Sequence, residues 1–281
     1  MDSRPEFPAA FRFGLAHLYH YQDFDLNSRD NHVGRLTDIL KNHRIWCSDP
    51  TTFNDPWDGK PYFDPAHLDD DEIRSKTVET LISTRRGGAE LDHVDALLRS
   101  DPRAIKAMVH KFSLEFFKHV PARWAIYCMA PDPSVNLMWS HYARNHKGMC
   151  LEFAVPNTKF AWALQVQYHK KYPPFLLHDQ HDYGMLLAKS EDWIYENEFR
   201  LIGVRSTEFP SPMVLDGHYL PIGDTDLKSI ILGCQMEEDA KASVRAIVRE
   251  HAPNVVIRQA VRSFNEYRLV IGLDAGAIST V

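Results

Sequence analysis

Two short runs of the sequence hold residue types suited to group-transfer chemistry. The first, Asn136 to Phe153, places Trp139, Ser140, His141 and Tyr142 together and ends on Glu152-Phe153. On a helix Met138 and Tyr142 share one face, and Trp139 and His146 share another. With two faces occupied, these residues either fill a core or wall a pocket. Gly148 suits the left-handed turn that closes such a helix. The second run is Lys189 to Ile202. Read as a strand, it sends Trp193, Tyr195, Asn197, Phe199 and Leu201 one way, and Ile194, Glu196, Glu198, Arg200 and Ile202 the other. That face is either a solvated edge with an ordinary ion pair, or a cleft wall whose carboxylate serves as electrostatic stabiliser or general base. A third group, Asn54-Asp55-Pro56, either closes an Asx-turn or holds a ribose or amide.

Other chemistries leave no trace. The sequence has no Gly-rich phosphate loop, HExxH, GxSxG or kinase signature. Fifteen histidines are scattered, with His17/His20, His141/His146 and His178/His181 lacking a third ligand, so no metal site is expected. Four cysteines, Cys47, Cys128, Cys150 and Cys234, match neither a zinc spacing nor a disulfide framework, and read as reduced, mostly buried thiols of a cytoplasmic protein. The first ten residues carry no apolar signal region, and no window approaches a membrane span. A net charge of −6 gives no global positive field for nucleic acid, although a local basic cleft is compatible with it.

The elements that must position these groups follow from periodicity. Residues 13–21 alternate as a first strand, Val33, Leu36, Ile39 and Leu40 mark a helix stopping at Asn42, and Ile45 to Cys47 form a short strand. The loop after it is expected to be pinned by Phe53 and Trp57. From about 69 to 120 the pattern is helical, split at Arg85-Arg86-Gly87-Gly88, with Asp101 capping, Pro102 at the first helical position and Ile105, Met108, Val109, Phe112 and Phe116 inward. Strands are expected at 124–129, 149–155, 166–169, 193–204, 227–232, 255–261 and 267–271, with helices at 137–145 and 237–251. At 281 residues, 44% hydrophobic and 25% charged, this predicts one α+β domain, with a bent or two-leaved mixed sheet and a helical insertion at about 66–120.

Several runs together carry a family resemblance: Leu18-Tyr19-His20-Tyr21, Ile39-Leu40, Trp46, Phe53-Asn54-Asp55-Pro56-Trp57, Trp139-Ser140-His141-Tyr142-Ala143 through Glu152-Phe153, and Trp193 to Arg200. They resemble the bacterial family catalogued as domain of unknown function 2971, over nearly the whole chain. A first strand bearing tyrosine and histidine, a helix ending in Ile-Leu and a late Glu-x-Glu also look distantly like ADP-ribosyltransferase folds, including toxins that modify DNA. That likeness implies NAD as substrate, with ADP-ribose passed to a macromolecular acceptor, nucleic acid or protein, in a toxin or antiviral effector, or else simple hydrolysis of NAD. Carried over, Glu198 is the catalytic glutamate, Glu196 the acceptor-side one, and Arg200 orients them. Tyr19, His20 or Tyr21 would hold a ribose, and Tyr142 or Trp139 would stack on nicotinamide. His141, Asn54 and Asp55 would complete the pocket. The Trp-Ser-His-Tyr block departs from the usual Ser-Thr-Ser strand of that fold. Two other readings stand beside it. One is a metal-dependent nuclease or phosphodiesterase using His141, His146, Asp55 and Glu198. The other is a non-catalytic nucleotide- or protein-binding module. Lys170 and Lys171 beside Tyr168 and Tyr172 either line a nucleic-acid channel or end a solvated strand.

Overall fold

The computed structural model describes residues 8–60, 62–83, 91–173, 175–176, 183–205 and 211–274. The chain is α+β and divides into two compact units, one of residues 1–48, 124–166 and 192–281, the other of 49–123 and 167–191. Arg85 to Gly88, His178 and His181 fall outside the described residues.

The first unit is built on β1 (His17–Gln22), which enters the sheet later than the alternation suggests because Ala10–Phe13 is a 3-10 turn. Helix α1 (His32–Asn42) starts where the Asn31 side chain accepts from Gly34 N at 3.0 Å, and buries Leu36, Ile39 and Leu40. It is followed by β2 (Arg44–Trp46), which pairs with β9 (Tyr219–Pro221). Strand β4 (Met149–Ala154) is flanked by β1 and by β10 (Leu227–Leu232), both antiparallel to it. From β10 the chain crosses through α7 (Glu238–His251) to the parallel strand β11 (Val256–Arg262), and returns in β12 (Leu269–Leu273), the edge of this five-stranded sheet. Acidic Glu238 and Asp239 at the start of α7, and Arg249 and His251 at its end, match the helix dipole.

A second, three-stranded sheet runs β3–β8–β5, with β3 Trp124–Met129, β8 Phe199–Val204 and β5 Leu164–Gln165. The two sheets meet where Tyr19 and Ala130 exchange backbone hydrogen bonds of 2.8 Å in both directions. Alternation along β1 then sorts its side chains. Leu18 joins the main core with Leu151, Phe153 and Ile230, whereas Tyr21 joins a second cluster with Trp139, Cys150 and Ile231.

The second unit is mostly helical, with α2 (Asp71–Ser83), α3 (Leu91–Ser100), α4 (Pro102–Arg123) and the short α6 (Gly184–Leu187). Strands β6 (Gln167–His169) and β7 (Ala188–Ser190) pair within it. Asp101 caps α4 through Arg103 N at 2.8 Å, and Phe63 packs edge-on against Phe112 and Phe116 at 5.8 and 5.4 Å. A buried Lys189–Asp58 pair, 3.4 Å apart, ties β7 to the loop after residue 49. That loop is not anchored as expected: Trp57 is 64% exposed. Among the described residues no helix is long and apolar enough to cross a membrane.

Candidate functional site

Helix α5 (Asn136–Tyr142) brings the first chemical run into place. Its Trp139 is fully buried, donates Nε1 to Pro133 O at 2.8 Å and meets Tyr21 edge-on at 5.4 Å. Trp139 is therefore a core anchor, with no open face for stacking on a ligand. The helix is closed by three left-handed residues, Arg144, Asn145 and His146, at φ 49°, 52° and 66°. This corrects the expectation for Gly148, which is absent from the left-handed region. Gly148 is needed for another reason: a Cβ there would lie 2.4 Å from the Gln22 carbonyl oxygen.

The second run is not a strand throughout. Glu191–Glu196 is a 3-10 helix, Asn197 turns the chain at φ 43°, and only then does β8 begin. The aromatic spacing of Trp193 and Tyr195 imitates a strand, but 3-10 geometry sends these side chains in directions that period two does not give. Consequently Glu196 and Glu198 are held separately. Glu196 is buried, and Tyr142 Oη donates to its Oε1 at 2.6 Å. Exposed His141 stands beside this contact, its ring 5.8 Å from Trp193 and 6.4 Å from Tyr195. Glu198 is clasped by Arg200 through Nε to Oε1 at 2.7 Å and Nη2 to Oε2 at 2.8 Å, with both side chains out of water. A solvated edge is thereby excluded, and Glu198 is a carboxylate whose two oxygens already accept a guanidinium fork.

The residues of β1 separate onto two sides. Tyr19 Oη donates to Glu152 Oε1 at 3.0 Å, and Ser229 Oγ donates to the other oxygen of the same carboxylate. His17 Nδ1 and Arg258 Nε approach it at 3.5 and 3.9 Å. Burial, with the Glu152 charge adding, holds the Tyr19 phenol well above its ordinary range. Tyr21 donates to Asp132 O at 2.6 Å and is likewise raised, mainly by burial. His20 faces elsewhere. Because a carbonyl only accepts, its Nδ1 carries the proton given to Cys128 O at 2.7 Å, which leaves Nε2 as an acceptor. Burial pushes this imidazole down to about 4, the backbone hydrogen bond opposing. Its ring stacks on Tyr127 at 4.1 Å, beside a cavity of about 100 Å³ whose walls include Asp23, Arg35, Trp46 and Ser48. The Tyr127 hydroxyl is buried there with no hydrogen-bond partner.

The structure brings the candidate residues Tyr142 and Glu196 together, with His141 beside them, while the sequence reading passes over Glu152. Its partners lie on three other strands, and no local spacing signals a hub assembled across a sheet. Asn54 and Asp55 belong to the second unit. Asp55 is buried and Asn54 exposed, and Asp55 accepts from Trp57 N at 2.8 Å, the Asx-turn arrangement. In the same unit Tyr172 donates to Lys60 O. The metal reading finds no support in the donor geometry: among the described residues no three His, Cys, Asp or Glu side chains cluster. His146 instead contacts Ser140 Oγ at 3.1 Å and is lowered by burial. All four cysteines are free thiols, and burial pushes Cys47 up to about 12.

A family model described as a protein of unknown function, DUF2971, matches residues 138–201, the segment that holds Tyr142, Glu152, Glu196, Glu198 and Arg200. The match supports the resemblance of this chain to that family. No curated protein matches the chain, and no solved structure matches it.

Proposed function

We propose that this protein is an NAD-consuming enzyme of the ADP-ribosyltransferase type, with Glu196 as the reacting carboxylate and Glu198–Arg200 as its buried support. The observation that carries the reading is the 2.6 Å contact from Tyr142 to Glu196, set beside the rings of His141, Trp193 and Tyr195. A phenol that donates to a buried carboxylate orients it, whereas a guanidinium fork also compensates its charge.

In the proposed reaction the bond from ribose C1′ to the nicotinamide nitrogen breaks and its electron pair leaves with nicotinamide. The ribose becomes an oxocarbenium-like cation, and Glu196 stabilises this charge. An oxygen or nitrogen of the acceptor then bonds to C1′, and its proton passes to a base, for which Glu196 is the candidate. A preorganised group of this kind contributes on the order of 10²–10³ in rate. Exposed His141 and the half-buried Trp193 and Tyr195 offer the planar surfaces on which nicotinamide would rest.

Nicotinamide release from NAD by the purified protein, with and without cell extract, tests this reading. Release that withstands chelator, persists in Glu198→Asp and falls at least about 100-fold in Glu196→Gln is expected. No release under any condition, together with no NAD binding, would overturn it. A second reading, a non-catalytic binding module, draws support from the closure of Glu198 by Arg200 and the burial of Trp139. It is the reading that remains if ligand binds without turnover and Glu196→Gln changes nothing.

A further inference from the structure

The turn between β11 and β12 presents an unusual surface. Phe264 is 100% and Tyr267 103% exposed, so two aromatic rings stand wholly in water on one seven-residue loop, Arg262 to Arg268. The loop is ordered by its own bonds. Ser263 N donates to Arg268 O at 3.0 Å, and Ser263 Oγ accepts from the backbone of both Asn265 and Glu266 at 3.3 Å. Arg268 lies 3.1 Å from Glu266, while Arg262 makes no ion pair among the described residues. Around these side chains is an open cleft of about 490 Å³, which Asn136 at the start of α5 also lines.

Position on the sheet gives the cleft a direction. Alternation along β11 puts Arg258, Ala260 and Arg262 on one face, and Ala260 packs with Tyr21, Trp139 and Leu269. Arg258 on that face reaches Glu152. One end of α5 therefore borders the aromatic loop, and its other end carries His141 and Tyr142, about 9 Å further along at the helical rise.

We propose that the β11–β12 loop binds single-stranded nucleic acid, with bases stacking on Phe264 and Tyr267 and phosphate meeting Arg262. Aromatic rings in water gain from stacking on any base, whatever its sequence, and a guanidinium beside them answers the phosphate charge. A duplex offers no exposed base faces to these rings. As the acceptor strand of the transfer reaction this would deepen the proposed function. Binding itself does not depend on that reading, and it is measured without NAD.

Fluorescence anisotropy of labelled oligo(dT) and oligo(U), about 15 nucleotides long, and of a duplex of the same length, tests the proposal at about 50 mM salt. Saturable binding of one or both single strands, and weaker binding of the duplex, is expected. Phe264→Ala/Tyr267→Ala should weaken it roughly 10- to 100-fold with an unchanged melting temperature, because neither ring contributes to the core. Arg262→Ala should reduce the slope of log K against log salt by about 0.7. The relative strength of the two oligonucleotides identifies DNA or RNA as the source. Absence of saturable binding, equal binding by the double variant, or preference for duplex or for anionic vesicles would overturn it. If it fails while nicotinamide is still released, the transfer reading stands with a different acceptor. If binding holds and release fails, the strand site stands alone.

Discussion

Two regions of the first unit bury polar groups in opposite ways. Around β4 and β8, the buried carboxylates of Glu152, Glu196 and Glu198 each have a directed donor: two hydroxyls, a phenol and a guanidinium fork. Behind β1, the cavity beside His20 holds an imidazole pushed down to about 4 by burial and a Tyr127 hydroxyl with no partner. The first region answers its buried polar groups with directed donors, and the second leaves a buried hydroxyl unanswered beside an imidazole that burial disfavours charging. The contrast also separates the three glutamates. Glu198 is answered by a bidentate guanidinium fork, which is why it reads as a structural member, while hydroxyl and phenol donors orient Glu152 and Glu196, with Arg258 and His17 at longer range from Glu152.

Breaking the charged region should have the largest effect. Arg200→Leu leaves the Glu198 carboxylate buried without its cation, and is expected to lower unfolding free energy by about 3–5 kcal/mol in a urea titration. Replacing both by leucine should recover most of that loss, since a well-packed apolar pair avoids the desolvation of two ions. A loss below about 1 kcal/mol in the single variant, or no recovery in the double one, would remove the distinction drawn between Glu198 and Glu196.

The second region should show itself through pH. The His20 imidazole falls from its usual 6.5 to about 4 on folding, chiefly through burial. Between those values the unfolded chain binds more protons at this site than the folded one, so stability rises with pH across the window. The contribution is complete above about 6.5 and is lost as pH falls towards about 4, a swing on the order of 2–3 kcal/mol. His20→Gln should flatten that part of the stability profile. An unchanged slope in the variant would mean that His20 charges freely in the folded protein, and the contrast between the regions would fail.

Much of this organisation can be read in the sequence, and the exceptions have physical causes. Apolar spacing places α1, α4, α7, β3, β4 and β10, because each buries one continuous face or a whole strand. Asp101-Pro102 marks the start of α4 through ordinary cap chemistry. The Trp193 to Glu198 segment misleads because two aromatics and two glutamates at spacing two are common to a strand and to a tight turn. Asn197, whose residue type tolerates a left-handed backbone, is the only local sign that the chain turns there. Gly148 signals a special backbone, yet sequence alone cannot tell a positive φ from a close approach, and here it is the Gln22 carbonyl that excludes a side chain. Tyr267 looks like a strand residue by propensity, but it stands in water before β12 begins at Leu269.

The smallest expected effect is the sharpest probe of the second region. Tyr127 is 3% exposed, its ring stacks on His20, and its hydroxyl lines the cavity without a partner. A buried hydroxyl that makes no hydrogen bond gives up its hydration with nothing in return, so Tyr127→Phe should keep the stack, remove the unanswered oxygen and raise stability by up to about 1 kcal/mol. The same substitution at Tyr19 or Tyr142, where the phenol donates to a buried carboxylate, should lower stability by about 1–3 kcal/mol. Urea titrations of the three variants therefore need only differ in sign. A destabilised Tyr127→Phe would mean that this hydroxyl is answered by water in the cavity, and that both regions satisfy their buried polar groups after all.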